Sequence, residues 1–207
     1  ALELIIKKNS SLLTIDDKNG WMPIMWILAQ YNEKLINLIL DTNPDLLNVN
    51  NQNGATPISV AIQNNFTKAL ELIIKKNSTL LTIENEKGWM PLMGILVRDD
   101  EKLITLILDT NPDLLNISNK NGETPISVAV EHNYRTALNL IKEHEQKLTD
   151  LTEKANKGDT DSQYALASKY HHGQGFNKNH QEAAKWYTLA AAQGHAQAQW
   201  NLGLMYK

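Results

Sequence analysis

The chain has 207 residues, enough for one large domain or two small ones. Lysine and arginine number 20 against 23 aspartates and glutamates, a net charge of −3, so no basic field argues for nucleic acid or an anionic membrane. Cysteine is absent, which excludes disulfides and cysteine-based zinc sites, and no apolar run approaches the roughly 20 residues of a membrane helix.

The opening residues, ALELIIKKNSSLLTI, return almost unchanged as ALELIIKKNSTLLTI at 69–83. LILDTNPDLLNVNNQNGATPISVA at 38–61 returns as LILDTNPDLLNISNKNGETPISVA at 106–129, a shift of 68 residues. Each copy divides again. Gly20, Gly54, Gly88 and Gly122 recur every 34 residues and open GWMP, GATP, GWMP and GETP. Each unit reads as a turn, a short helix and a longer helix. Glycine permits the positive φ of a tight turn. Proline costs no hydrogen bond in the first helical turn. Thr56 and Thr124 precede it, where a hydroxyl caps the helix. A polar connection, NPDLLN or NSTLLT, leads to the next glycine.

This pattern resembles the ankyrin repeat family, whose signature is G-x-T-P-L-H-x-A. Gly54, Thr56, Pro57, Ile58 and Ala61 match it, as do Gly122, Thr124, Pro125, Ile126 and Ala129. Ser59 and Ser127 stand where the family usually has histidine, and Met22 and Met90 replace the capping threonine, which weakens those caps. Four repeats are expected, at about 17–50, 51–84, 85–118 and 119–143, after the closing helix of an earlier one.

A second period follows. Ala165, Leu166 and Tyr170, the Gly173 and Gly175 turn, Ala183 to Tyr187 and the link Ala191 to Gln199 resemble the Sel1-like repeat, a relative of the tetratricopeptide repeats. Leu202, Gly203 and Tyr206 begin the next helix, and Ala167 stands where glycine is usual. Between the two patterns, residues 136–157 hold no glycine or proline and keep helical spacing at Leu140, Ile141, Leu148, Leu151 and Ala155. No flexible linker is expected. The resemblances imply an all-α fold, an α-solenoid of stacked helix-turn-helix repeats, ankyrin-type over 1–143 and Sel1-like over 144–207, with a shared junction helix. The chain starts and stops inside a repeat, so a fragment or processed form is expected, and a missing targeting segment proves little.

No catalytic constellation stands out. His171 and His172 with His180 suggest a metal, yet adjacent helical residues point apart, so solvated positions are expected. His195 matches the family's Q-G-H-A link, which implies a structural role. Glu143, His144 and Glu145 read as an exposed charged surface. Asp99, Asp100 and Glu101 lack calcium-loop spacing and instead place negative charge near a helix N-terminus. No enzyme activity, cofactor or metal is expected.

Repeat stacks present extended binding surfaces, and both families act as scaffolds for protein partners. The resemblance therefore implies a protein-binding module, monomeric when unbound, with neither nucleic acid nor membrane as partner. Both repeat types in one asparagine- and lysine-rich chain suggest a bacterium with an AT-rich genome, and the resemblance to these families then implies a secreted effector or a toxin-immunity protein, cytoplasmic, secreted or periplasmic. The alternative is the targeting arm of an enzyme whose catalytic domain lies outside this sequence. On the ankyrin pattern Trp21 and Trp26 fall at variable positions, which line the concave face in the family. Trp26 becomes Gly94 in the duplicate and Tyr31 becomes Asp99, an exchange expected of surface rather than core. The expected contact patch is Trp21, Trp26, Gln30 and Tyr31, extended by Val60, Asn64, Trp89, Arg98, Glu131 and His132.

Overall fold

The computed structural model describes residues 2–176 and 178–205, all helix, turn or loop with no strand. Ala1 and Tyr206, which the repeat pattern places in the first and last helices, lie outside the described residues. The helices run in order α1 (Leu2–Lys8), α2 (Pro23–Ala29), α3 (Glu33–Thr42), α4 (Pro57–Gln63), α5 (Thr67–Asn77) and α6 (Pro91–Val97). They continue with α7 (Glu101–Thr110), α8 (Pro125–Glu131), α9 (Arg135–Asn156), α10 (Thr160–His172), α11 (His180–Ala192) and α12 (Ala196–Met205). Two compact units form: Ala1–Leu106 with Leu114–Tyr134, and Ile107–Asp113 with Arg135–Lys207.

In the first unit each repeat opens with proline at the start of its short helix, in α2, α4, α6 and α8. Thr56 Oγ1 accepts the Ser59 N–H at 3.1 Å while Ser59 Oγ accepts the Thr56 N–H at 2.9 Å, and Thr124 with Ser127 repeats this reciprocal cap. Ser59 and Ser127, odd against the family pattern, thus complete the caps. Met22 and Met90 offer no hydroxyl but are fully buried, so these positions trade a hydrogen bond for core volume. Each long helix buries one stripe, Leu35, Ile36, Ile39 and Leu40 in α3 for example, on a 3.6-residue period.

The connections expected to be polar fold into 3-10 turns at Ser10–Thr14, Pro44–Asn48, Ser78–Thr82 and Pro112–Asn116. Leu13, Leu46, Leu47, Leu80, Leu81, Leu114 and Leu115 in them are buried, while Leu12 in the first turn is exposed. A LL pair in a short polar run is too brief to show helical period, yet in the other three the 3-10 turn presents both to the core. The short helix ends in a left-handed residue, Tyr31, Asn65, Asp99 or Asn133, with φ of 49°, 58°, 53° and 54°. Asparagine and aspartate tolerate that region; tyrosine is a rare occupant.

The turns before the short helices form four fingers that pair by twos. Asn51 Nδ2 donates to the Gly20 carbonyl, Gln52 Nε2 to the Asp17 carbonyl at 3.0 Å and Asn53 Nδ2 to the Asn19 carbonyl at 3.3 Å. Asn119, Lys120 and Asn121 join the third finger to the fourth in the same way, reaching Gly88, Asn85 and Lys87. Gly20 and Gly88, both at φ +83°, leave room for these amides; a Cβ there would collide with Asn53 or Asn121. Among the described residues no such bond joins 50–55 to 84–89. At this step Glu86, an acceptor, stands where Gln52 and Lys120 donate, and Lys87 stands where Asn53 and Asn121 reach back, while Asn85 keeps the residue type of Asn51 and Asn119.

The second unit is built on α9, a single uninterrupted helix of 22 residues, Arg135–Asn156. The sequence boundary at 143/144 falls inside it. Ala155, Leu166, Ala167, Ala183, Trp186, Tyr187, Ala190 and Ala198 form the core from α9 to α12. Small alanines let these helices approach closely. Gly175, at φ +78°, lies 3.0 Å at its Cβ position from Leu148, so the G-x-G turn packs on α9. His195 Nδ1 accepts the Ala198 N–H at 3.3 Å and caps α12, and its ring stacks on Tyr164 at 4.3 Å.

Candidate protein-binding face

The finger and short helix of the first repeat bring Trp21, Trp26 and Gln30 together. The two indoles lie 5.1 Å apart at 35°, and Trp26 is 55% exposed. With Leu2, Ile15 and Pro23 they line a groove of about 590 Å³. Asp17 on its rim spends one carboxylate oxygen on the Trp21 and Asn19 N–H groups, at 2.9 and 2.8 Å, which holds its pKa below the usual carboxylate value. This bond fixes the finger that carries Trp21.

The equivalent position of Trp26 is Val60, Gly94 and Val128 in later repeats. There it faces the preceding repeat: a Cβ at Gly94 would sit 3.4 Å from Ile62. Val60 is only 8% exposed, so it does not join the surface patch expected from sequence. It is packed between repeats, whereas Trp26 at the same position of the first repeat is exposed.

The remaining expected residues do not form one continuous patch. Tyr31 borders a separate hollow of about 230 Å³ with Asn65, Phe66 and Lys68, whose Nζ lies 5.7 Å from the tyrosine ring. Asn64 Nδ2 turns back to the Val60 carbonyl at 2.9 Å. Arg98 donates to the Gln63 carbonyl at 3.0 Å and to Asn65 Oδ1, which ties its guanidinium to the preceding repeat. Glu131 and His132 are exposed on α8 and its cap, His132 stacked on Tyr134 at 5.7 Å.

Trp89, 41% exposed, lies in a second groove of about 320 Å³ at the unpaired step between the second and third fingers. Asn53, Ser59, Gln63, Asn85 and Gly94 share it. Sequence reasoning named Trp89 but missed these five. A glycine within a helical pattern was the available signal, because Gly94 has no turn to serve.

In the second unit His171 and His144 depart from expectation. The His171 ring meets His172 at 4.8 Å and His180 at 5.2 Å, both edge-on, and His171 Nδ1 is buried without a hydrogen-bond partner. His172 and His180 stay exposed as expected, while His171 is half-buried against both rings. His144 is half-buried against the G-x-G turn rather than exposed. Among the described residues no three His, Cys, Asp or Glu side chains are placed to hold a metal ion. Asp100 Oδ1 accepts the Leu103 N–H at 3.1 Å, so the acidic run at 99–101 caps α7. No described helix is long and apolar enough to cross a membrane.

A comparison with curated proteins finds no match. Family models do match: that for ankyrin repeats, in three copies, over residues 1–82, and that for the Sel1 repeat over 160–195 and 196–207. The chain carries ankyrin repeats followed by Sel1 repeats, the architecture of a protein–protein interaction module.

Proposed function

We propose that the ankyrin unit binds a partner protein through its finger and short-helix face, anchored at the Trp21–Trp26 groove. One observation carries this reading: two large indoles lean against each other, tilted by 35°, with Trp26 55% exposed, beside apolar Leu2 and Ile15, on a fixed scaffold. Leaving an indole in water forgoes on the order of 2 kcal/mol of burial. Tryptophan and tyrosine also dominate binding hot spots. In the Sel1 unit Trp200 is 70% exposed.

The cellular setting we propose is a bacterial effector or toxin-immunity protein, on both repeat types standing in one asparagine- and lysine-rich chain. Affinity capture with this chain as bait, read by mass spectrometry and repeated with Trp26→Ala, tests the binding reading. A specific partner lost with the variant supports it. Retention of every captured protein by Trp26→Ala counts against it. A toxic hydrolase encoded beside the gene favours immunity; co-regulation with a secretion system favours an effector.

A further inference from the structure

We infer that the groove between the second and third fingers is a socket for an aromatic side chain of the partner protein, stacked on Trp89 above Gly94. The inference rests on the protein-binding reading and assigns it a second, chemically defined site.

The molecule itself indicates the occupant. Trp21 and Trp89 are the same residue of the duplicated 68-residue unit. In the first copy Trp26 covers Trp21 with its own indole, 5.1 Å between centroids. In the second copy the covering residue is Gly94, and Trp89 stays 41% exposed. The fold thus shows what the Trp89 floor accepts, a flat aromatic ring, and the second copy has removed its own. The groove of about 320 Å³ reaches Gly94, which is large enough for one such side chain.

Gly94 serves no backbone need. It lies inside α6, outside the positive-φ region, and a Cβ would meet nothing closer than 3.4 Å. Glycine inside a helix costs stability relative to alanine, so a glycine here is retained against the helix. The polar rim fits an aromatic ring carried on a peptide. Asn85 Oδ1 is held by the Lys87 and Trp89 N–H groups at 2.9 and 3.0 Å, which leaves its Nδ2 donors at the groove. Gln63 and Ser59 stand on the opposite wall. Among the described residues no hydrogen bond of the finger ladder closes this step.

The test uses indole as the probe and the whole chain as the receptor, followed by the side-chain N–H signals of the five tryptophans in a nitrogen-labelled sample. Saturable shifts at Trp89 and the Gly94 amide, with Trp186 and Trp200 unmoved, support the socket. Gly94→Ala adds a Cβ that meets nothing closer than 3.4 Å and begins to fill the groove, so it should weaken the Trp89 shift. Gly94→Val, the residue type at the same position in two other repeats, is the second variant and should weaken indole at least tenfold while the remaining spectrum stays native. An unshifted Trp89 up to the solubility limit of indole overturns the proposal, and so does a shift that survives both variants. If a captured partner is lost with Trp26→Ala yet binds Gly94→Val as well as wild type, the socket is wrong and the binding reading stands.

Discussion

The Asn119 side chain donates from Nδ2 to the Gly88 carbonyl at 2.7 Å, across two successive fingers. Its Oδ1 accepts the Asn121 and Glu123 N–H groups, both at 2.9 Å. One buried amide therefore satisfies three backbone groups in two repeats. Asn51 does the same work one pair earlier, donating to Gly20 and accepting from Asn53 and Ala55.

Asn119→Ala strands those backbone groups. Removing one partner of a buried hydrogen bond costs about 1–3 kcal/mol, so the variant should lose about that much in urea unfolding. Asn119→Asp keeps the acceptor but sets a carboxylate oxygen against the Gly88 carbonyl and Glu123 Oε2, so it should lose at least as much. Equal stability of Asn119→Ala and wild type would show that the finger ladder is decorative.

Restoring the consensus threonine at Met22 should harm the protein. A threonine cap gains about 1 kcal/mol, but deleting a fully buried methionine side chain costs about 2–5 kcal/mol. Met22 is 0% exposed, so the core term wins. Met22→Thr is expected to melt at lower temperature than wild type by calorimetry. A rise in melting temperature would mean the cap, not the core, sets this position.

The repeat period, the caps at Thr56 and Thr124 and the unbroken helix over 136–156 were legible because each rests on local chemistry: a turn glycine, a hydroxyl before a proline, an uninterrupted apolar spacing. The 3-10 turns were not, since Leu46 and Leu47 sit in too short a run to carry a period. The exposure of Trp26 was read correctly but for an incomplete reason. Exchange with Gly94 suggested surface, whereas Val60 at the same position is buried. A single repeat's sequence does not say whether a neighbour stands in front of it. The groove at Gly94 was hidden for the same reason: residues of two successive repeats line it, which one repeat's sequence does not show.

The second unit should weaken in mild acid. Burial, then the positive charge of His172, His180 and Lys178, holds the His171 pKa below the ordinary imidazole value. Tyr187 stands edge-on at 6.3 Å and brings no compensating negative charge at neutral pH. His144 is also held low, first by burial and then by Lys169 and Lys147, against partial opposition from Asp109 and Glu145. A folded pKa below the unfolded value means the unfolded chain binds more protons as pH falls below about 6.5. Stability is complete above that pH and declines as pH drops through the folded pKa. Urea unfolding at about pH 7.5 and about pH 5.5 should show the loss, and His171→Gln should reduce it. A midpoint independent of pH in this window contradicts the assignment.

The most direct test of the binding account is the affinity of the captured partner for Trp26→Ala, measured by calorimetry beside the melting temperature of the same variant. The account predicts an increase in Kd of about 30-fold or more, about 2 kcal/mol, with the melting temperature nearly unchanged because Trp26 is 55% exposed. An unchanged Kd with a large fall in melting temperature would show that Trp26 serves the fold, and would contradict the account.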